Sequence, residues 1–203
     1  MNIAFHVDTR FCSGCKSCQL ACKDQNNLPV GQLWRRVYEI SSGEWVSRGK
    51  AWLHNVIAYN LSISCNHCTK CICEEVCPAE AYRRDENGVV WIDPNRCMGC
   101  QYCAMACPYN APQFNPLTGR MGKCDFCRDR LENGLDPVCV QACPMRVISW
   151  GDRNELEKKF GPDAQLFPLP PKELTDPSLL VHPHPNALKT NASFEELANP
   201  EEV

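Results

Sequence analysis

Residues 97–108 of this chain read CMGCQYCAMACP, from Cys97 to Pro108. Three cysteines follow one another at intervals of three residues, a fourth comes four residues later, and the proline follows directly. This C-x2-C-x2-C-x3-C-P spacing is typical of the thiolate ligands of 4Fe–4S cubanes, around which three close cysteines wrap. The fourth cysteine lies too far along the chain for the same cubane, and in two-cluster proteins it binds the neighbouring cluster. The segment therefore predicts iron–sulfur clusters in pairs.

The chain carries four cysteine groups of this kind. The first repeats the central spacing but is followed by Lys23 instead of proline, and the fourth has the looser pattern C-x2-C-x11-C-x3-C. Sixteen of the 17 cysteines have ligand-like spacing, which is the number that four cubanes with four thiolates each require. They are Cys12, Cys15, Cys18, Cys22, Cys65, Cys68, Cys73, Cys77, Cys97, Cys100, Cys103, Cys107, Cys124, Cys127, Cys139 and Cys143.

The second group, CNHCTKCICEEVCP, has one cysteine more than the others. Choosing Cys73 keeps the final x3 interval of the other groups, whereas choosing Cys71 leaves x5 before Cys77. We favour Cys73 as the ligand and interpret Cys71 as a spare thiol that packs as a small buried hydrophobe. The spacing by itself leaves the other choice open.

Disulfides and zinc are the alternatives to iron–sulfur clusters. A disulfide framework predicts an even number of cysteines, a secretory signal and dispersed spacings, and the chain shows none of these. The fourth group alone is compatible with a four-cysteine zinc site, but the three ferredoxin-type groups beside it favour a cluster. A Rieske centre needs two histidines, and His67 has no second histidine at suitable spacing. We expect His67 to donate a hydrogen bond beside a cluster or to lie at the surface.

Composition excludes several classes of function. Apolar residues reach 44% of the 203 residues only with cysteine included, so metal–thiolate bonds are expected to stabilise the fold. A net charge of −3 gives no basic excess for nucleic acid. The sequence contains neither an apolar run of about 18 residues for a membrane span nor a signal peptide. The pairs Arg35-Arg36 and Arg83-Arg84 are interpreted as surface charge.

The sequence has no nucleophile–base arrangement, phosphate-binding glycine loop or HExxH motif, so no catalytic site of its own is expected. The available chemistry is one-electron transfer. Tyr102, Met105 and Tyr109 flank the third group and are expected to pack around cluster sulfur and exclude water. Pro108 predicts a helix start, and Gly99, like Gly14 in the first group, is expected to let the backbone approach inorganic sulfide.

The segments between the cysteine groups predict an α+β fold. A cysteine group, a hairpin and a second cysteine group occur twice, which is the pattern of two bacterial-ferredoxin-like modules with ββ hairpins and short helices after the Cys-Pro positions. The expected elements are strands at residues 3–8, 56–64, 89–93 and 147–152, hairpins at Ser42-Gly43 and Asn87-Gly88, and an exposed helix at residues 152–160.

Residues 161–203 are predicted to form an extended proline-rich tail. Eight of the 16 prolines lie after Gly161, and such a segment does not pack by itself. The apolar side chains of LFPLP and SLLVHP need covering, so we expect the tail to lie along a partner.

The whole chain resembles the four-cluster iron–sulfur subunits of membrane-bound molybdopterin oxidoreductases, and within them the electron-transfer (B) subunits of dimethyl sulfoxide reductase. The segments that carry the resemblance are FCSGCKSCQLACKD, LSISCNHC, CMGCQYCAMACPYNAPQ, KCDFC and LANPEEV. The resemblance implies one module of residues 1–60 and 110–160, built from the first and fourth groups. It implies a second module of residues 61–109, built from the second and third groups.

The resemblance also implies how the ligands are shared. Cysteine at position 100, where the related nitrate reductase subunit has tryptophan and a three-iron cluster, implies four complete cubanes. The sets are Cys12, Cys15, Cys18 and Cys143 for cluster 1; Cys22, Cys124, Cys127 and Cys139 for cluster 2; Cys65, Cys68, Cys73 and Cys107 for cluster 3; and Cys77, Cys97, Cys100 and Cys103 for cluster 4.

The partners implied by the resemblance are a molybdopterin-containing catalytic subunit beside cluster 1 and a membrane anchor subunit that oxidises menaquinol beside cluster 4. The catalytic subunit would reduce an S- or N-oxide such as dimethyl sulfoxide. The chain would be peripheral on the cytoplasmic membrane, on the outer face after export with the catalytic subunit. A zinc-thiolate structural protein and a free-standing polyferredoxin are the alternative functions.

Overall fold

The computed structural model describes residues 2–162, 165–187 and 195–203, which form small sheets and short helices. The predicted α+β class is confirmed. The strands are Ile3–Asp8 (β1), Arg36–Ser42 (β2), Trp45–Arg48 (β3), Ala51–His54 (β4), Ile57–Ile63 (β5), Tyr82–Arg84 (β6), Val90–Ile92 (β7), Gln113–Asn115 (β8), Arg120–Gly122 (β9), Ile148–Asp152 (β10), Leu179–His182 (β11) and Glu196–Leu197 (β12). The α-helices are Ser17–Gln25 (α1), Ile72–Glu75 (α2), Tyr102–Ala106 (α3), Arg128–Glu132 (α4), Val138–Gln141 (α5) and Arg153–Phe160 (α6).

Strand β1 is the centre of the main sheet, whose order is β10-β1-β11. Its first five residues are buried without alternation, as expected of a strand that is covered on both faces. It pairs antiparallel with β10 and parallel with β11. The N-terminal strand therefore joins two segments that lie far along the chain.

Strand β11 belongs to the segment that the sequence predicted to be an extended tail. Leu179, Leu180 and Val181 are buried against the protein itself, because they pair with β1 and enter the core. Residues 172–174 form a 3-10 helix ahead of this strand. A tail whose apolar side chains are covered by a partner is therefore not confirmed, and for SLLVHP the interpretation is wrong.

A second sheet has the order β12-β2-β5. The predicted turn at Ser42-Gly43 does not join a hairpin, since β2 pairs with β5 and not with β3. The hairpin in this region is β3–β4, which turns at Gly49 and is inserted between β2 and β5. All eight of its strand residues are exposed, so it adds nothing to the core.

Two short hairpins lie beside the middle cysteine groups. The first is β6–β7, and it turns at Asn87-Gly88 as the sequence predicted. The carboxylate of Asp85 stabilises this turn by accepting hydrogen bonds from the backbone N–H groups of Asn87 and Val89. The second hairpin, β8–β9, follows the third cysteine group.

The short helices precede the Cys-Pro positions, which corrects the prediction that they follow them. Helix α3 ends at Ala106, and Cys107 is extended with φ −80° and ψ 115° before Pro108. A residue before proline is pushed out of the helical region, so Pro108 ends the helical turn instead of starting one. The predicted helix at residues 152–160 is confirmed as α6, with Asp152 as its N-cap.

Cysteines form a large part of the core. One hydrophobic cluster combines strand residues of both sheets with buried thiols such as Cys65, Cys124 and Cys139, and it spans both predicted modules. The division into two modules stays a prediction. Within residues 2–162, 165–187 and 195–203, no helix is long and apolar enough to cross a bilayer.

Candidate iron–sulfur cluster sites

The same backbone turn precedes the second cysteine of every cysteine group. The residue at that position is left-handed in each case, with φ of 70° at Gly14, 44° at His67, 74° at Gly99 and 65° at Phe126. The fourth group, which is looser in spacing, thus has the same local geometry as the other three.

Two of these turns need glycine because other elements approach them closely. A Cβ atom on Gly14 would lie 2.7 Å from the side-chain oxygen of Asn60. A Cβ atom on Gly99 would overlap the backbone carbonyl oxygen of Gly119. The close approach that the structure shows is toward protein atoms, and the expected approach to inorganic sulfide stays a prediction. The sequence of one segment does not reveal such neighbours, because they come from β5 and from the β8–β9 turn.

Two cavities are each lined by one complete set of predicted ligands. In both, three cysteines come from one cysteine group and the fourth comes from another. The first cavity contains Cys12, Cys15, Cys18 and Cys143. The second contains Cys77, Cys97, Cys100 and Cys103. The fold thus brings the predicted sets for clusters 1 and 4 together.

The four thiols predicted for cluster 2 are neighbours in the interior. Cys22 on α1 interacts electrostatically with Cys139 on α5 and with Cys127, and Cys124 interacts with Cys22 and Cys127. Burial raises the pKa of Cys22 to about 12, and the neighbouring Cys139 adds to the shift. The thiolate form is the metal ligand, so these groups require a positively charged centre to deprotonate them at neutral pH.

The four thiols predicted for cluster 3 are arranged around Cys65. The thiols of Cys68, Cys73 and Cys107 each interact electrostatically with it. Burial raises the pKa of Cys68 to about 12, and the neighbouring Cys65 adds to the shift. This set, like the one around Cys22, is a group of buried and half-buried thiols that a metal centre would convert to thiolates.

The sets follow one another through the molecule. Each of the two inner sets contains a thiol that lies near a thiol of the set before it and another near a thiol of the set after it. The hydroxyl group of Tyr82 is buried between the third set and the fourth. The neighbouring pairs are Cys18 with Cys139, Cys124 with Cys65, and Cys73 with Cys103 across the Tyr82 side chain.

The most exposed thiols of the sets lie at the two ends of this series. Cys15 in the first set and Cys100 in the fourth are exposed, while every cysteine of the two inner sets is buried or half-buried. Each exposed thiol has exposed apolar side chains close by in sequence, such as Phe11 and Met98. The series therefore opens to the surface at its first and last members.

The donor sets fit a cluster better than a single ion. Among the described residues, no three histidine, cysteine or carboxylate side chains lie close enough to hold one metal ion. The thiols of the first and fourth sets surround a space instead of converging on a point, which suits a cubane with one thiolate at each corner. All 17 cysteines lie in the described ranges, and none forms a disulfide.

Comparison with known proteins agrees with this geometry. The 4Fe-4S dicluster domain family matches residues 56–153. The B subunit of anaerobic dimethyl sulfoxide reductase from Escherichia coli is 46% identical over 199 residues, covering 98% of this chain and 97% of that protein. The thiosulfate reductase electron transfer subunit of Salmonella typhi is 40% identical, with 76% and 79% covered. The B subunit of polysulfide reductase from Wolinella succinogenes is 35% identical, with 87% and 92% covered.

This protein belongs to the family of dimethyl sulfoxide reductase iron–sulfur B subunits. As a B subunit it carries 4Fe–4S clusters, and the number of its cysteines is consistent with four of them. The assignment of individual cysteines to individual clusters stays a prediction.

The B subunit also has buried cations that the sequence did not reveal. Arg35 and Arg36 are each 1% exposed and Lys123 is 3% exposed, so the interpretation of Arg35-Arg36 as surface charge is wrong. Arg83 and Arg84 are half-buried and exposed, which agrees with surface charge. A buried cation needs negative charge or hydrogen-bond acceptors around it. The only signal in the sequence that could have indicated a buried cation near the thiols is the position of Lys123 directly before Cys124.

His67 of the B subunit is buried and not at the surface. Its Nδ1 accepts a hydrogen bond from the backbone N–H of Val90 at 3.0 Å, so Nε2 carries the ring proton. Burial lowers the pKa of His67 well below its usual value, and the nearby charges of Lys123 and Arg84 add to the shift. The ring is therefore neutral and has one buried N–H group that lacks a partner among the described protein atoms.

The two candidate ligands of the second group, Cys71 and Cys73, lie next to each other in the structure. The Sγ atoms of Cys71 and Cys73 are 3.5 Å apart, and both side chains are buried. The buried environment expected for Cys71 is confirmed. The choice of Cys73 as the ligand stays a prediction.

The aromatic and methionine side chains beside the third group divide into two classes. Tyr109 is buried, and its hydroxyl lies 2.7 Å from that of Thr175. Tyr102 is 55% exposed and Met105 is 75% exposed, so the expectation that these two exclude water from the cluster is wrong. Both side chains lie on the solvent-facing side of α3, a few residues after Cys100 in the sequence.

Proposed function

We propose that this chain is an electron-transfer subunit that relays electrons from a membrane anchor subunit, which oxidises menaquinol, to a molybdopterin-containing catalytic subunit. The observation that carries the proposal is the continuous series of four thiol sets, whose two exposed cysteines, Cys15 and Cys100, lie one at each end. A bound 4Fe–4S cluster supplies one-electron transfer. The relatives named above are chains of dimethyl sulfoxide, thiosulfate and polysulfide reductases, which supports a role in a multi-subunit reductase.

The ligand sets of the proposal are those implied by the resemblance. Two of them are supported by cavities that each set lines completely, and two by mutual electrostatic interactions among buried or half-buried thiols. In every set one cysteine comes from a different group, so each module is held together by ligands from both of its cysteine groups.

The two ends of the series have different partners in this proposal. The end at Cys15 faces the catalytic subunit, which reduces an S- or N-oxide such as dimethyl sulfoxide. The end at Cys100, with the exposed side chains of Met98, Tyr102 and Met105 around it, faces the membrane anchor. The chain is then peripheral to the cytoplasmic membrane, on its outer face. Exposed apolar patches of this kind mark interaction surfaces.

Metal analysis tests the cofactor content of this proposal. After anaerobic purification we expect about sixteen irons and sixteen acid-labile sulfides per chain, four of each for each set of thiolates. We also expect a broad brown absorbance that bleaches on reduction. A colourless chain with stoichiometric zinc would instead identify a zinc-thiolate protein.

A free-standing polyferredoxin is the second candidate, and one observation favours it. Strand β11 packs into the sheet of this chain, so the C-terminal segment needs no partner to cover Leu179–His182. Isolation from membranes under anaerobic conditions distinguishes the two. The proposed subunit co-purifies with a molybdenum-containing chain, whereas a polyferredoxin is recovered alone and remains monodisperse.

A further inference from the structure

Two buried cations lie between neighbouring thiol sets: Arg35 between the first and second sets, and Lys123 between the second and third. We propose that Arg35 and Lys123 raise the reduction potentials of the adjacent clusters, Lys123 through direct contact with Cys65 and Arg35 through the hydroxyl group of Ser62. The inference rests on the ligand sets of the proposed function. It adds two positioning residues and one hydrogen-bond donor to the proposed electron relay.

Arg35 lies between the first and second sets. Its guanidinium group interacts electrostatically with thiols of both, including Cys18 of the first set and Cys139 and Cys22 of the second. The group is fully buried and stacks on the ring of Phe5, with Cζ 4.6 Å from the ring centroid. It forms no ion pair with a carboxylate among the described residues. The thiol sets are therefore the nearest source of compensating negative charge.

Ser62 connects Arg35 to a ligand. Nη1 of Arg35 donates a hydrogen bond of 3.0 Å to Oγ of Ser62, which lies 3.3 Å from Sγ of Cys18. Because the guanidinium group donates to Oγ, the hydroxyl proton of Ser62 is free to point toward sulfur. With Cys18 as a thiolate, Ser62 is the only possible donor between these two atoms. The charge of Arg35 polarises that hydroxyl group further.

Lys123 lies between the second and third sets. Its Nζ atom donates to Sγ of Cys65 at 3.3 Å, to the carbonyl oxygen of Cys124 at 3.2 Å and to the carbonyl oxygen of Val90. All three hydrogen atoms of the ammonium group are thus used. One contacts a ligand of the third set, while Lys123 itself directly precedes Cys124, a ligand of the second.

The sign of the effect follows from charge. Reduction adds one negative charge to a cluster that its thiolates already make anionic. A buried cation, or a hydrogen bond to a ligand sulfur, stabilises the more negative reduced state more than the oxidised state. Screening is weak in the interior, so the effect of each cation extends to the clusters on both sides. Removing either donor must therefore lower the potential of its neighbours.

A pair of serine variants tests the Arg35 arm on the full chain, purified anaerobically and titrated stepwise with EPR detection of the reduced clusters. Ser62→Ala removes the hydroxyl beside Cys18, and Ser64→Ala is its matched control. Ser64 also accepts a 3.0 Å hydrogen bond from Arg35, but its hydroxyl contacts a backbone carbonyl oxygen and no thiol. We expect one midpoint to fall in Ser62→Ala and none in Ser64→Ala. Unmoved midpoints in Ser62→Ala, with full iron content, would overturn the Arg35 arm.

A lysine pair tests the second arm. In Lys123→Met the oxidised-to-reduced ratio of the cluster 3 signal should rise at least tenfold at fixed ambient potential, which is about 59 mV for a one-electron couple. Lys70→Met, at an exposed position in the second group, should leave it unchanged. Lys123→Arg, which keeps the charge, should keep the potential of cluster 3 close to that of the parent. Equal midpoints in Lys123→Met and the parent would refute the inference.

The failure of this inference is distinguishable from the failure of the proposed function. A parent chain with little iron contradicts the proposed function before any variant is compared. A parent with full iron content and potentials that neither Ser62→Ala nor Lys123→Met changes contradicts only the role of the two cations. If Lys123→Met loses iron, the comparison of Ser62→Ala with Ser64→Ala still decides.

Discussion

The contact between Cys71 and Cys73 leads to a prediction about single residues. Their sulfur atoms are 3.5 Å apart, whereas the corners of a cubane direct its thiolates away from one another. Only one of the two thiols is therefore expected to bind. Cys71→Ser should keep the full iron content, and Cys73→Ser should lose about four irons. Iron analysis of the two variants in parallel measures this, and loss of iron in Cys71→Ser alone would reverse the assignment.

Gly99 and Gly119 form a matched pair for a second prediction. Both have left-handed backbones, with φ of 74° and 66°, but a Cβ atom meets backbone only at Gly99. Gly119→Ala should cost about 1–2 kcal/mol from backbone strain alone. Gly99→Ala should cost more, because a carbonyl group of the β8–β9 turn must also move. Anaerobic thermal unfolding of both variants tests this, and equal melting temperatures would contradict it.

At the residue scale, the sequence predicted what regular spacing encodes. The sixteen ligand-like cysteines were recognised because cubane chemistry requires short, repeated intervals. The burial of Arg35 was not predicted, because the negative charge around it comes from thiols of distant segments and its hydrogen-bond acceptors are the hydroxyls of Ser62 and Ser64. His67 precedes the second cysteine of its group, as Gly14 and Gly99 do in theirs, but the sequence did not reveal its left-handed backbone or its burial.

Strand β11 leads to a prediction about an element. Leu180 is 1% exposed in the main sheet, whereas Leu174 in the 3-10 helix just before it is 53% exposed. Leu180→Ala should cost about 2–5 kcal/mol through lost burial and a cavity. Leu174→Ala should stay within about 0.5 kcal/mol. Apparent melting temperatures at one scan rate measure the difference, and an unaffected Leu180→Ala variant would mean that β11 is not part of the stable fold.

His6 on β1 leads to a second prediction at this scale. Its ring stacks on Phe160 of α6 at 3.7 Å, and burial lowers its pKa to about 4, with His182, Arg10 and Lys159 opposing the attraction of Asp8. The unfolded protein takes up a proton near pH 6.5 and the folded protein does not, so stability should fall as the pH drops from 6.5 toward 4. Between pH 7 and 5 the loss is at most about 2 kcal/mol. His6→Gln should reduce this pH dependence, and an identical dependence in variant and parent would contradict the assignment.

Local elements were predicted well where a local signal exists. Strands β1, β5, β7 and β10, the β6–β7 turn and α6 all follow from apolar runs, turn residues or a cap. The Ser42-Gly43 turn was misread because strand pairing is decided by distant partners and not by the turn. Proline content suggested a tail without a core position, yet prolines flanking a strand do not prevent the residues between them from pairing.

The whole molecule is the scale of the proposed electron relay. Cys15 and Cys100 are exposed ligands at its two ends. Cys100→Ser should abolish turnover driven by quinol but spare substrate reduction driven by an artificial donor that acts at the catalytic subunit. Parallel assays with the two donors on the assembled complex measure this, with iron content as the control. Unchanged quinol-driven turnover would refute the role assigned to this end.

The α+β architecture and the iron–sulfur chemistry were predictable at this scale because cysteine spacing dominates the sequence. The arrangement of the thiol sets in space was not predictable, since it depends on which segments contribute cysteines to the same set. The electrostatic interactions of Cys18 with Cys139 and of Cys124 with Cys65 appear only in three dimensions.

The position of β1 at the middle of the main sheet has a consequence for biosynthesis. Strand β1 finds its neighbours only when β10 and β11, which lie far along the chain, have been made. The cavity around Cys12 likewise stays incomplete until Cys143 emerges. If this set holds cluster 1 as proposed, iron delivery to this end of the protein waits until Cys143 has been made, and a product terminated before that residue would have only three of the four proposed ligands.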